Sequence, residues 1–127
     1  MKAVIVDDDF ILSQVLMNSL IDNLHAEVKN FYNGDNLVSF VEDFRPNIIL
    51  LDIMLPNRQQ NGLVLLNQLK LNAYTKRIPV IMMTGINNVD IWNKALKLGA
   101  SDYLLKPFDV SDFINTIQKY CPNRLAS

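Results

Sequence analysis

The sequence predicts a doubly wound α/β fold, in which helices cover both faces of a parallel sheet of five strands. Short runs of branched apolar residues alternate along the chain with longer segments whose apolar residues recur every three or four positions. The apolar runs are continuous, which is typical of strands that are buried on both faces. Right-handed crossovers between parallel strands then place the helices on the two sides of the sheet.

Strands are predicted at residues 3–6, 26–31, 47–52, 78–83 and 102–106, of which residues 26–31 are the least apolar. The clearest signal is the third run, in which four branched apolar residues precede an aspartate. Asn33-Gly34 predicts a turn before the second helix, and Pro46 ends that helix.

Helices are predicted over residues 9–24, 35–44, 63–72, 88–98 and about 109–120. We expect the first helix to face the sheet with an apolar stripe made of Phe10, Ile11, Val15, Leu16, Leu20, Ile21 and Leu24. Gly99 stands where a helix usually stops, and Asp109 or Ser111 is the predicted cap of the last helix.

Composition excludes several classes of protein. The 127 residues fit one domain, and a formal net charge of −1 lacks the broad basic surface of a nucleic-acid-binding domain. No direct contact with nucleic acid is therefore expected. A single cysteine, Cys121, cannot form an intramolecular disulfide. No apolar run has the length of a signal-peptide core or a membrane span, so we expect a cytoplasmic protein without membrane contact.

Side chains with chemical capability follow four of the predicted strands. They are Asp7, Asp8 and Asp9 after the first strand, Asp52 at the end of the third, Thr84 after the fourth and Lys106 at the end of the fifth. Parallel strands bring their carboxyl ends to one edge of the sheet. Carboxylates gathered there repel one another unless a cation neutralises them, and oxygen ligands suit Mg²⁺. A lysine and a hydroxyl beside them suit phosphoryl transfer to a carboxylate.

Four segments carry a family resemblance: VDDD (6–9), LLDIMLP (50–56), MMTG (82–85) and GASDYLLKPF (99–108). In this order and spacing the chain resembles the receiver domains of two-component response regulators, which are CheY-like proteins, over nearly its whole length. The resemblance implies the flavodoxin-like strand order 2-1-3-4-5. The receiver domain is predicted at residues 1–122, with residues 123–127 forming a tail or the start of a linker.

The resemblance also implies the roles of single residues. Asp52 is expected to accept a phosphoryl group from a histidine kinase or a phosphotransfer protein. Mg²⁺ is expected to bind Asp7, Asp8, Asp52 and the backbone carbonyl of Met54, with Asp8 as a more direct ligand than Asp7. Lys106 is expected to contact the phosphoryl group and to precede a cis peptide bond, Lys106–Pro107.

The remaining implied roles concern the output of the switch. Thr84 is expected to move toward the phosphoryl oxygens after transfer, and Tyr103 to turn inward in the active state. The surface formed by residues 88–120 is expected to contact an output domain or protein, and a dimer that forms on phosphorylation is consistent with the same resemblance. The chain is thus interpreted as a signalling switch rather than an enzyme.

Two departures from the family pattern adjoin the acceptor. Five residues, NRQQN (57–61), separate Pro56 from Gly62, where the family commonly has fewer. We expect this longer loop to alter metal access or partner docking. Ile86 is bulkier than the residues often found two positions after the threonine, and it is expected to slow hydrolysis by hindering water.

Alternatives to a phosphorylated switch remain open on sequence grounds. A degenerate receiver would bind partners without phosphorylation, and the longer loop is the only feature that favours it. A dehalogenase-like phosphatase would need an acid where Met54 stands, and a flavin carrier would need a phosphate-binding loop where the three aspartates stand. Asp9 is as well explained by capping of the first helix as by metal binding. Trp92 fits a partner contact and a half-buried anchor equally.

Overall fold

The computed structural model describes residues 1–55 and 61–122, in which five strands alternate with five helices. The strands are β1 (Lys2–Val6), β2 (Glu27–Phe31), β3 (Ile48–Asp52), β4 (Val80–Thr84) and β5 (Asp102–Leu105). The helices are α1 (Phe10–Leu24), α2 (Leu37–Phe44), α3 (Gly62–Leu71), α4 (Val89–Lys97) and α5 (Val110–Tyr120). Every strand pair is parallel and the order is β2-β1-β3-β4-β5, which confirms the predicted doubly wound fold.

The sheet separates two apolar layers, because successive side chains of a strand point to opposite faces. One layer combines residues such as Ile5 and Leu50 with the inner sides of α1 and α5. The other combines residues such as Val4 and Leu51 with α2, α3 and α4. The central strands β1 and β3 are buried almost throughout, so the polar residues that follow them are held on a rigid support.

The apolar stripe predicted for α1 is confirmed at Leu16, Leu20 and Leu24, which are buried, and wrong at its other four residues. Phe10 and Ile11 are 61% and 76% exposed, and Val15 and Ile21 are also on the surface. Ser13 and Ser19 complete the buried side in their place. The two serines can be buried because their hydroxyls donate to the carbonyls of Asp7 and Val15, at 3.3 and 2.9 Å. Apolar side chains are thereby left exposed on the outer side of α1.

Several predicted element boundaries also shift for local reasons. β4 begins at Val80 rather than at residue 78, since the Ile78 N–H donates to the Thr75 carbonyl in a turn and Pro79 has no N–H. α2 begins at Leu37 because Asn36 has a left-handed backbone, with φ of 61°. Asp9 precedes α1 as its N-cap and accepts from the Leu12 N–H at 3.0 Å.

No helix within residues 1–55 and 61–122 has both the length and the apolar character needed to cross a bilayer. The predicted boundary at residue 122 stays a prediction, and the proposed tail at 123–127 lies outside the described residues.

Candidate functional site

The ends of β1 and β3 bring three carboxylates together. Val6 pairs with Leu51 across the two strands, so Asp7 and Asp52 come next on adjacent strands. Asp7, Asp8 and Asp52 each offer an oxygen within 4.8 Å of the others. Asp7 and Asp52 are buried, at 0% and 3% exposure, whereas Asp8 is exposed. The arrangement therefore has a buried floor and one solvent-accessible carboxylate.

Lys106 extends into this group from the end of β5. Its Nζ lies 2.7 Å from Asp7 Oδ2 and 3.3 Å from Asp52 Oδ2. Its backbone N–H donates to the Thr84 carbonyl at 2.7 Å, and the Lys106–Pro107 peptide bond is cis. One ammonium group thus bridges two buried carboxylates and leaves a net negative charge among them.

Burial is the main reason why the pKa of Asp52 is raised from its ordinary value of 3.8 to about 6, and the negative charge of Asp7 adds to the effect. Two contacts act in the opposite direction: Asp52 Oδ1 accepts the Met54 N–H at 3.0 Å, and Lys106 contacts Oδ2. These contacts do not compensate fully. Ionised Asp52 is therefore held in a site that would be stabilised by additional positive charge.

The ammonium of Lys106 responds differently to the same surroundings. Burial by itself lowers the pKa of Lys106, but its hydrogen bond to Asp7 and the charge of Asp52 outweigh burial and raise that pKa. Lys106 is thus protonated throughout the physiological range. It supplies a permanent positive charge beside Asp52.

The oxygen groups present fit a hard divalent cation such as Mg²⁺. Both oxygens of Asp7 are already engaged, Oδ1 by the Asp9 N–H at 2.9 Å and Oδ2 by Lys106. Asp8 accepts no hydrogen bond from any residue that the structure describes, so its oxygens are available to an ion. Met54 lies two residues beyond Asp52, the last residue of β3, and is 55% exposed. Carboxylate and carbonyl oxygens of this kind are the ligands that Mg²⁺ prefers.

Thr84 and Tyr103 lie on the neighbouring strands β4 and β5. Thr84 is fully buried, and its Oγ1 accepts the Ile86 N–H at 3.0 Å, which leaves the hydroxyl proton free to donate elsewhere. Tyr103 is partly exposed and stacks on Trp92 of α4, with ring centroids 4.1 Å apart. The Trp92 Nε1 is buried without a partner among the described residues. Trp92 is thus a half-buried contact of Tyr103.

Gly62 supports the acceptor strand, a role that the sequence analysis missed. It is the first residue of α3, and its N–H donates to the Ile53 carbonyl at 3.0 Å. A Cβ at this position would overlap the backbone of Asp52 and Ile53. The sequence did offer a signal for this role, since a glycine stands at the start of the helix that follows the acceptor strand. Of the longer loop predicted at 57–61, only Asn61, the N-cap of α3, lies within the described residues.

A family model for the response regulator receiver domain matches residues 3–118. The chain belongs to this family. Receiver domains are signalling domains that interact with histidine kinases or phosphotransfer proteins and with output domains. Family membership confirms the resemblance drawn from the sequence.

Two curated relatives differ in how much of their own length this chain covers. The chain is 33% identical over 119 residues to the transcriptional regulatory protein CrdR of Helicobacter pylori, covering 94% of this chain but 54% of that protein. It is 29% identical over 121 residues to sporulation initiation phosphotransferase F of Bacillus subtilis, covering 95% and 94%. A solved receiver domain, that of NtrX from Brucella abortus, superimposes with a TM-score of 0.84 at 27% identity and covers 94% of this chain and 98% of that one.

Proposed function

We propose that Asp52 accepts a phosphoryl group from a histidine kinase or a phosphotransfer protein and that the receiver domain acts as a switch rather than as an enzyme. The observation that carries the proposal is a buried carboxylate, 3% exposed, with an ammonium 3.3 Å away and two further carboxylates around the same point. Phosphoryl transfer relies on positioning and on neutralisation of charge more than on covalent chemistry by the protein.

In the proposed reaction, a carboxylate oxygen of Asp52 attacks the phosphorus of a phosphohistidine. An O–P bond forms as the P–N bond breaks, and the electron pair of that bond returns to the imidazole nitrogen. With a pKa of about 6, Asp52 is mostly ionised at neutral pH and can act as the nucleophile. Lys106 is placed to neutralise the charge of the transferred group.

Asp8, Asp7, Asp52 and the Met54 carbonyl would hold Mg²⁺, which would neutralise charge on the phosphoryl oxygens. Asp8 is the residue most available to the ion, since Asp7 is bound by Lys106 and by the Asp9 N–H. A requirement for Mg²⁺ then follows from the excess of carboxylates over cations at the site.

The proposed output begins at Thr84, whose hydroxyl would donate to the new phosphoryl oxygens. Thr84 and Tyr103 lie on adjacent strands at positions whose side chains share a face of the sheet. Movement of Thr84 would vacate space for Tyr103, which would then leave its stack on Trp92. The surface formed by residues 88–120 would change shape and contact an output domain, an output protein or a second copy of the chain.

The outer side of α1 is the proposed docking surface for the phosphodonor. Phe10, Ile11 and Val15 are 61%, 76% and 45% exposed, and the helix begins two residues after Asp8. Apolar side chains grouped in this way are typical of protein contact surfaces. A helical partner could bury them while it presents a phosphohistidine to Asp52.

Incubation with Mg²⁺ and acetyl phosphate tests the proposal. The protein should gain one phosphoryl group that hydroxylamine removes. The gain should be absent in Asp52→Asn and slowed in Asp8→Asn, whereas Asp22→Asn, an exposed change on α1, should behave as the native protein. If native protein gains no phosphoryl group and binds neither Mg²⁺ nor beryllofluoride, the domain is instead a phosphorylation-independent interaction module.

A further inference from the structure

A second cleft lies at the edge of the sheet opposite Asp52. It is formed where the chain enters β3 and β4, between the turn after α2 and the connection from α3 to β4, and its volume is about 510 Å³. Volumes of about 300–1,000 Å³ are typical of small-ligand sites. Because Asp52 ends β3 and this cleft precedes it, the two sites are separated by the length of the strand.

The cleft is cationic. Arg45, Lys76 and Arg77 line it, and all three are exposed. No acidic side chain lines it among the residues that the structure describes, and the salt bridges formed in those segments all involve Lys106. The whole chain has a formal net charge of −1, so this concentration of positive charge does not reflect a basic protein. Within residues 1–55 and 61–122, none of the three charges has a carboxylate partner, so all three are available to an anion.

Hydrogen bonds fix the connection that presents these side chains. The Thr75 side chain is buried, and its Oγ1 donates to the Leu69 carbonyl at 2.6 Å. The Asn72 side chain accepts the Tyr74 N–H at 2.8 Å and donates to Glu42 at 2.7 Å. A surface loop held by buried and side-chain hydrogen bonds loses little conformational entropy when a ligand binds.

Lys70 also holds the connection from α3 to β4, and its ammonium group is engaged there rather than available to a ligand. Its Nζ donates to the carbonyls of Lys76 and Ile78, at 3.1 and 2.6 Å. On the other side of the cleft, Arg45 is the C-cap that follows α2, with φ of 53°, a backbone conformation that favours glycine. A long cationic side chain therefore stands where the backbone alone would select a smaller residue.

Tyr74 adds an aromatic surface to the cleft. It lines the same cleft as the three cations and is 76% exposed, so its ring is open to a ligand. Aromatic side chains beside cations are a common means of binding nucleotides, because the base stacks while the cations contact phosphate. Two guanidinium groups suit phosphate in particular, since each can donate two parallel hydrogen bonds.

We propose that this cleft binds a nucleotide, with Arg45, Lys76 and Arg77 contacting its phosphates and Tyr74 stacking on its base. This cleft is distinct from the site around Asp52. Through it the receiver domain would respond to a soluble phosphorylated metabolite.

Amide NMR shifts of the whole chain, titrated with ADP in the presence of EDTA, test the proposal. We expect saturable changes at residues 45, 47 and 73–78, with binding weakened about tenfold or more in Arg45→Ala and Arg77→Ala, since each loses charge-assisted hydrogen bonds. Lys97→Ala, an exposed change on α4, removes the same charge elsewhere and should leave the affinity for ADP unchanged.

Inorganic pyrophosphate serves as a second probe that separates phosphate binding from stacking. Tyr74→Ala should weaken ADP binding and leave pyrophosphate binding unchanged. The proposal is overturned if ADP causes no saturable shifts, if the shifts occur at the Asp52 edge, or if the folded arginine variants bind ADP as tightly as the native chain. Equal loss in Tyr74→Ala for both probes would contradict the stacking role.

Discussion

Replacing Asp52 with asparagine tests how much the buried charge of the acceptor costs the fold. The pKa of Asp52 is raised from 3.8 to about 6, chiefly by burial and then by Asp7. An acid whose pKa is higher in the folded than in the unfolded state is ionised at a cost to folding. The cost is absent below about pH 3.8, grows as the pH rises and is complete above about pH 6.

The size of the effect follows from the same values. The difference between 3.8 and about 6 corresponds to about 3 kcal/mol, at about 1.4 kcal/mol for each pKa unit. Solvent screening reduces the gain expected on neutralisation to about 1–2 kcal/mol, and the favourable contact with Lys106 is already included in the raised pKa of Asp52. Asp52→Asn should therefore be more stable than the native chain at pH 7 by about 1–2 kcal/mol.

Urea unfolding of both proteins at pH 4 and pH 7, in EDTA, measures this difference. The advantage of Asp52→Asn should be present at pH 7 and nearly absent at pH 4. Asp8→Asn serves as a matched control at an exposed carboxylate and should show a smaller change. If Asp52→Asn is less stable than the native chain at pH 7, or if its advantage is the same at both pH values, the account of Asp52 is refuted.

Three further predictions concern the groups around Asp52. Lys106→Ala should lower the free energy of unfolding at pH 7 by about 3 kcal/mol in urea titrations, because two buried carboxylates lose their ammonium partner; unchanged stability would contradict the ion-pair role. Gly62→Ala should destabilise the domain by about 1–3 kcal/mol, since its Cβ meets backbone. Gly85→Ala, whose Cβ meets nothing within 4 Å, should be tolerated, and equal thermal unfolding of the two variants would refute this contrast. Trp92, the single tryptophan, should change its fluorescence when acetyl phosphate is added, and this change should be lost in Tyr103→Ala; a spectrum insensitive to phosphorylation would contradict the unstacking.

The topology was predictable because β1, β3 and β4 are almost continuous apolar runs that end in or precede polar residues. The run ending at Asp52 is buried at all five positions, so its pattern had no competing interpretation. The buried side of the first helix was harder to predict. Ser13 and Ser19 are polar residues, yet they are buried because their hydroxyls form hydrogen bonds. Periodicity counts apolar residues and cannot detect a buried hydroxyl that is satisfied by a backbone carbonyl.

The parallel topology was enough to predict that the site residues meet at one edge of the sheet. It was not enough to predict which of them contact one another. Nothing in the sequence indicates that Lys106 lies closer to Asp7 than to Asp52, since these distances depend on how β5 packs beside β4. The stack of Trp92 on Tyr103 likewise joins a helix to a strand through tertiary packing. Contacts of this kind depend on tertiary packing, whereas the positions at which strands end depend on the local sequence.

The most direct test of the central claim is a crystal structure of the protein with Mg²⁺ and beryllofluoride. We predict beryllofluoride on the Asp52 carboxylate, Lys106 against a fluorine, and the ion among Asp7, Asp8, Asp52 and the Met54 carbonyl. An unmodified Asp52 at saturating reagent, or an ion bound away from these groups, would contradict the prediction.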